Sequence, residues 1–279
     1  MITPKKSLGQ NFLVDARVAR RIIDSVSPTA KDVIVEIGPG KGALTQMLVE
    51  RSGVVVTIEI DRRLAQSLRE SIGAANLTIV EGDALEIDWR QLADSAAAQL
   101  RSTDPEAKSP KIRVVANLPY YISTAILEKL LRAREVVSDM TLMLQSEVVE
   151  RMASDPGCKE YGYLSILVQY YCNVSKLFDV APSAFSPAPK VWSSVVRLMV
   201  RERPAVSVDD DDKFLALVRA SFAHRRKTLA NNLRAAGERL WEAVSIAGSL
   251  EEAQIDPRRR AETLSLDDFA RLYRALISR

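Results

Sequence analysis

The densest chemistry in the sequence is Asn117-Leu118-Pro119-Tyr120-Tyr121, directly after an apolar, β-rich run from Ile112 to Ala116. These residue types suit a reaction at a planar exocyclic amine, a poor nucleophile because its lone pair is delocalised into the ring. The Asn117 side-chain oxygen and a backbone carbonyl can accept its two N–H bonds and favour a tetrahedral nitrogen in the transition state. Pro119, with its locked φ, fixes the turn that presents the carbonyl, and Tyr120 can stack on the base. The amine becomes acidic once alkylated, so no strong general base is needed, which suits a chain with one histidine, His224. On residue types alone, the same stretch also reads as a strand-ending turn with a buried tyrosine.

A second group surrounds Glu36-Ile37-Gly38-Pro39-Gly40-Lys41-Gly42-Ala43, a glycine-rich turn between a strand and a helix. Gly38, Gly40 and Ala43 fit the Gly-x-Gly-x-x-Gly/Ala pattern, and Glu59 lies about 20 residues on, so a nicotinamide dehydrogenase stays open beside other adenosine cofactors. Glu59 ends the run from Val54 and Asp83 follows the run from Leu77, which puts acids at successive strand ends. One carboxylate can accept from both ribose hydroxyls, and Asp83 is placed to accept from an adenine amino group. Asp61 competes for the ribose; Glu59 is preferred because it directly extends the strand.

The elements that must hold these residues follow from periodicity. Val33–Ile37, Val54–Ile58, Leu77–Val80, Ile112–Ala116 and Met140–Leu144 are nearly continuous apolar runs, as expected of strands buried on both faces. Segments 42–51, 62–72, 89–100 and 123–132 have the length and apolar spacing of crossover helices, so an α/β fold on a parallel sheet is expected. Residues 94–113 read as a surface insertion of no assigned function. Past Val200 the β signal fades, and 213–223, 227–234, 237–247 and 266–277 read as short amphipathic helices. The expected division is an arm and helix over 1–31, a cofactor domain over 32–203 and a small helical domain over 204–279.

Composition narrows the classes. The 279 residues are 47% apolar, with one histidine and two cysteines, Cys158 and Cys172, set apart. Zinc clusters, Cys-pair redox motifs and disulfide frameworks therefore lack ligands. No signal-peptide stretch or run of about 18 apolar residues occurs, so a reduced, cytoplasmic, membrane-free protein is expected. The net charge of +3 is silent about nucleic acid, but its distribution is not. Residues 1–31 hold six basic side chains against two acids, and 219–239 hold six (Arg219, Arg225, Arg226, Lys227, Arg234, Arg239) against Glu238 alone. Clustered arginines bind phosphates, although a solvated helix face is the plainer reading of such a run. Arg258 to Arg260 are candidates to extend that surface.

Three ordered motifs together are more specific than any one. Gly9-Gln10-Asn11-Phe12-Leu13, Asn117 to Tyr120 and Phe185-Ser186-Pro187-Ala188-Pro189-Lys190-Val191-Trp192-Ser193 resemble those of the ribosomal RNA adenine dimethyltransferases, in particular the bacterial small-subunit KsgA/RsmA type. The resemblance runs from Lys5 to about Leu276. It implies a Rossmann-like class I methyltransferase sheet with a small C-terminal helical domain. It also implies S-adenosyl-L-methionine as cofactor with no metal, and 16S rRNA of the small ribosomal subunit as partner of a monomeric enzyme. Asn11 and Leu13 would close over the cofactor, with Gly38 and Gly40 at its methionine part, Glu59 at the ribose and Asp83 at the adenine. Asn117 and Pro119 would meet the target amine, while Tyr120 and Phe185 sandwich the flipped base. The segment 223–228 resembles the family's basic motif, with His224 where glutamine or a basic residue is usual. A large-subunit adenine methylase of the antibiotic-resistance type shares the front motifs, but Ile255-Asp256, Glu262 to Leu266 and Phe269 resemble the small-subunit tail. An assembly factor that keeps the fold without catalysis is the alternative from another class.

Overall fold

A computed structural model describes residues 3–5, 8–106, 111–236 and 245–277. Residues 107–110 and 237–244, which take in parts of the readings over 94–113 and 237–247 and with them Glu238 and Arg239, lie outside these residues, as does Lys6. The rest of 94–113 is not an insertion: Trp89–Thr103 form one helix with Ala96, Ala97 and Leu100 buried, and a strand begins at Ile112. The strands are β1 (Phe12–Leu13), β2 (Val33–Ile37), β3 (Val54–Glu59), β4 (Leu77–Glu81), β5 (Ile112–Asn117), β6 (Val137–Gln145), β7 (Cys172–Val180), β8 (Phe185–Ser186) and β9 (Ser193–Val200). Helices over the crossovers are α1 (Ala16–Val26), α2 (Thr45–Arg51), α3 (Arg62–Ser71), α4 (Trp89–Thr103) and α5 (Ser123–Arg132). They are followed by α6 (Ser146–Ala153), α7 (Tyr163–Tyr171), α8 (Asp211–Ser221), α9 (Leu229–Ala236), α10 (Ile246–Glu252) and α11 (Leu266–Ile277).

Seven strands form one sheet in the order β4-β3-β2-β5-β6-β9-β7, and β1 and β8 form a separate antiparallel pair. The run β4-β3-β2-β5-β6 is parallel throughout, whereas β9 pairs antiparallel with β6. All five residues of β2 and all six of β3 are buried, which explains their unbroken apolar runs. Aspartates cap three of the crossover helices, while α2 and α5 start without a side-chain cap. Asp15, Asp61 and Asp88 each accept a backbone N–H of the first turn of α1, α3 and α4. The core on the α1 side joins Ala19, Ile22, Ile23 and Val26 to Ile34, Leu48, Val115 and Val195. The order of strands reverses between β2 and β5, where chains leave in opposite directions and open a crevice at the carboxyl edge.

The chain divides into two compact units, Met1–Val149 with Ser175–Val200, and Glu150–Val174 with Arg201–Arg279. The second differs from the expected continuous 32–203 domain in taking Glu150–Val174, and the reason is aromatic packing. Tyr170 lies 4.9 Å from Phe214 by ring centroids, Phe214 meets Tyr273 edge-on at 5.9 Å, and the Tyr161 hydroxyl donates to the Leu264 carbonyl at 2.9 Å. The acidic run 209–212 is structural here. Asp211 accepts from Tyr170 and Tyr171, Asp209 accepts from Tyr273, and Asp210 caps α8. Among the described residues no helix is long and apolar enough to cross a membrane.

Candidate active site

The crevice at the carboxyl edge holds a cavity of about 320 Å³ in the first unit. Ile37 pairs with Ala116 across β2 and β5, so the residues that follow, Gly38 and Asn117, leave neighbouring strands side by side. Asn11, Leu13, Gly38, Gly40, Glu59, Asp83, Asn117, Pro119 and Tyr120 all line the cavity. Parallel register brings these separated residues to one edge.

The glycine turn is built for a ligand. Gly38 adopts φ +66°, and a Cβ there would meet no atom within 4 Å, so its side of the cavity is open. Gly40 adopts φ +58°, and a Cβ there would lie 3.0 Å from the Phe12 ring. The Gly40 N–H donates to Glu59 Oε2 at 3.1 Å, while Glu59 Oε1 accepts from the Asp61 N–H at 2.9 Å. Glu59 is thereby clamped at the strand end, 4% exposed, and burial raises its pKa. Asp61 does not line the cavity. It is spent on Arg63 and on Lys5 Nζ at 3.2 Å, and those bonds hold its carboxyl well below the usual range. Gly40→Ala is expected to strain the backbone by roughly 1 kcal/mol and press on Phe12. Thermal unfolding should show a small loss, and cofactor titration a loss of affinity on the order of tenfold, larger than the stability change alone explains.

Asn117 ties the cavity to the N-terminal arm. Its Nδ2 donates to the Asn11 carbonyl at 3.1 Å, which leaves Oδ1 as the acceptor that can serve a ligand. The arm is fastened again where Leu13 pairs with Phe185, and Lys41 Nζ lies 4.9 Å above the Phe12 ring. The Tyr120 hydroxyl shares a 2.7 Å hydrogen bond with Ser193 Oγ, and Ser123 Oγ donates to the Tyr120 carbonyl. Burial raises the Tyr120 pKa, so the phenol stays neutral. Asp83 Oδ1 accepts from the Leu85 N–H at 2.9 Å and shapes the turn after β4.

Phe185 departs from the expected position against a substrate base. It is 4% exposed, packs with Leu13, Val180 and Ala184, and does not line the cavity. The cause is the β1–β8 pair, which turns the ring into the core; Phe185 anchors the arm from below. Among the other cavity residues, three to which the sequence assigned no role stand out. Glu36, 2% exposed within β2, is a lone acid in the run Val-Ile-Val-Glu-Ile, and that interruption was the available signal. Ile60 and Tyr121 line the cavity yet are 49% and 61% exposed, and no sequence pattern marks such exposure.

In the second unit Arg219, Arg225, Arg226, Lys227 and Arg234 are all exposed around the α8–α9 connection. Arg219 stacks over Tyr163 at 4.7 Å, and Arg225 pairs with Glu262 at 3.6 Å, a partner that a count within 219–239 misses. Arg234 donates to Asn231 Oδ1, and His224 is exposed beside Arg225. Arg258 and Arg259 pair with Asp256 and Asp268, so local carboxylates partly neutralise the expected extension of the basic surface.

Comparison with known proteins agrees with this geometry. The family model described as ribosomal RNA adenine dimethylase matches residues 1–277. A protein of Moorella thermoacetica named ribosomal RNA small subunit methyltransferase A is 46% identical over 276 residues, 99% of this chain and 93% of that protein. The crystal structure of a dimethyladenosine transferase from Plasmodium falciparum superposes with a TM-score of 0.76 at 28% identity, covering 94% of this chain and 95% of that one. The 23S rRNA methyltransferase ErmE follows at 0.69 and 25% identity, covering 95% of this chain and 99% of that one. With the glycine turn, the clamped acid and the asparagine turn meeting in one cavity, this chain belongs to the ribosomal RNA adenine dimethylase family.

Proposed function

We propose that this protein dimethylates N6 of two adjacent adenines in the loop of the 3′-terminal hairpin of 16S rRNA, during biogenesis of the small ribosomal subunit, and that it acts as a monomer. The observation that carries the reading is the single cavity lined by both the Gly38 turn and Asn117. S-adenosylmethionine supplies a methyl group already activated on a sulfonium. The site fits it: the open face at Gly38 admits a chain passing close to backbone, Glu59 offers carboxylate lone pairs to a ribose, and Asp83 with the apolar Ile60 suits an adenine. Asn11 and Leu13 cover the cavity from the arm.

The chain's own part is then acceptance and orientation. Asn117 Oδ1 and a backbone carbonyl of the turn fixed by Pro119 accept the two N–H bonds of the amine and draw its lone pair out of conjugation. Tyr120 stacks on the extruded base, with its phenol held by Ser193. Orientation for in-line transfer supplies much of the rate. Arg219, Arg225, Arg226, Lys227 and Arg234 grip RNA phosphates. The divided chain, with 1–31 as cofactor and RNA arm, 32–203 carrying transfer and 204–279 carrying RNA binding, is part of this proposal, with 150–174 serving the helical unit.

The test is transfer of labelled methyl from S-adenosylmethionine to undermethylated small subunits, followed by mapping of the label. Dimethyladenine at the two adjacent hairpin-loop positions is expected; label absent from adenine, or confined to large-subunit rRNA, overturns the reading. In the same assay Arg226→Ala with Lys227→Ala should weaken binding and flatten its salt dependence by about one slope unit per lost phosphate contact. Maximal turnover should stay near that of the parent.

A further inference from the structure

Trp192 stands at the same sheet edge as Asn117. Asn117 pairs with Met143 across β5 and β6, and Gln145 pairs with Ser193 across β6 and β9. The segment 187–192 therefore enters β9 beside the carboxyl ends of β5 and β6. Its last residues are fixed: the Trp192 carbonyl accepts from the Ser146 N–H at 3.0 Å, and Ser193 Oγ is bonded to the Tyr120 hydroxyl. Despite that rigid seat, the Trp192 residue is 56% exposed, next to Val191 at 44% and an exposed Lys190. The other described tryptophan, Trp89, is buried at 3%.

A large aromatic held out on fixed backbone is a stacking surface that costs little side-chain entropy to use. Unpaired RNA bases stack on such rings whatever their identity, since each has a π-face. Lys190 adds a cation for the neighbouring phosphate. We propose that Trp192 stacks on the unpaired base adjacent to the adenine in the cavity, an inference that rests on the function proposed above. Extruding one of two neighbouring adenines strips the other of its stacking partner, and the indole replaces it. Trp192 would thus favour a substrate with a second unpaired base beside the target, and it is a binding residue, separate from the amine-accepting turn.

A synthetic RNA hairpin with 2-aminopurine in place of one of two adjacent loop adenines reports the contact directly. The probe lacks the N6 amine that the Asn117 turn accepts, which leaves the remaining adenine to enter the cavity against Tyr120. Binding to the parent protein and to Trp192→Phe should quench the probe severalfold; binding to Trp192→Ala, at RNA concentrations that saturate it, should leave the probe bright. With undermethylated small subunits, Trp192→Ala should raise KM roughly tenfold, leave kcat within about twofold, and be rescued by Trp192→Phe. Quenching that survives in Trp192→Ala overturns the proposal whatever the methyl-transfer result. So does a fall in kcat at unchanged KM, which would mark a structural role through Ser193 and Tyr120. Absence of methyl transfer by the parent protein counts against the proposed function, and the quenching still decides for or against Trp192.

Discussion

Asn117→Ala should lower the rate of methyl transfer on the order of 10²–10³-fold at saturating cofactor and small subunits, the usual consequence of deleting one preorganised polar partner of a transition state. The side chain has two jobs in the structure, and the variant removes both. Oδ1 is the free acceptor, while Nδ2 holds the Asn11 carbonyl at 3.1 Å and with it the arm over the cavity. Asn117→Asp separates them, since it keeps an acceptor but replaces the donor with a charge that repels the Asn11 carbonyl. Cofactor affinity should therefore fall in both variants, by less than about tenfold. The single-turnover rate should fall much further in the alanine variant than in the aspartate one. Calorimetric titration with cofactor and a quenched single-turnover assay make the comparison. A transfer rate within tenfold of the parent in Asn117→Ala would remove the asparagine from the chemistry and leave it as an arm latch.

The sequence made β2, β3, β5 and β6 legible because burial on both faces leaves a nearly uninterrupted mark, whereas the edge strand β4, expected to be buried on both faces too, is half exposed. Val33–Ile37 is apolar except for Glu36, and it is buried at every position. The edge strand β7 left a weaker mark. In β7, Asn173, Lys176 and Asp179 alternate irregularly with apolar residues because much of the strand is exposed. The two-residue strands β1 and β8 are too short for any period. Their pairing nevertheless decides the fate of Phe185, whose motif was visible while its burial depends on a partner strand at the other end of the chain. Glycine and acid spacing picked out residues that share one cavity, since strand ends of a parallel sheet share one edge. Charge pairing was the least legible property, because Glu262 reaches Arg225 only through folding of the helical unit.

Glu36 should give the protein a stability that declines as pH rises through neutrality. The residue is 2% exposed inside β2, and burial pushes its pKa up to about 8, opposed by the 2.6 Å hydrogen bond from Thr45 and reinforced by the charge of Glu59. The unfolded chain returns it to its ordinary value of 4.5. Between those values the folded state binds more protons than the unfolded one, so stability is lost with rising pH, fully present below 4.5 and spent above about 8. The cost of holding the ionised form in place is several kcal/mol, on the order of 4–5 above that range. Glu36→Gln keeps an oxygen for the Thr45 hydroxyl and cannot ionise. It should lose roughly 1 kcal/mol at pH 5, because its amide N–H groups need partners, and gain several at pH 9. Thermal unfolding across that range should show the two profiles crossing; Glu59, whose pKa is raised in the same direction, contributes with the same sign to both. Asp61 is excluded from the window because its pKa is lowered. Parallel profiles for parent and variant would show that Glu36 is already solvated or ionised in the folded protein. Because Glu36 lines the cavity, a cationic cofactor there favours its ionised form. The parent protein should therefore be stabilised by S-adenosylmethionine more strongly at pH 8.5 than at pH 6, and Glu36→Gln should reduce that difference.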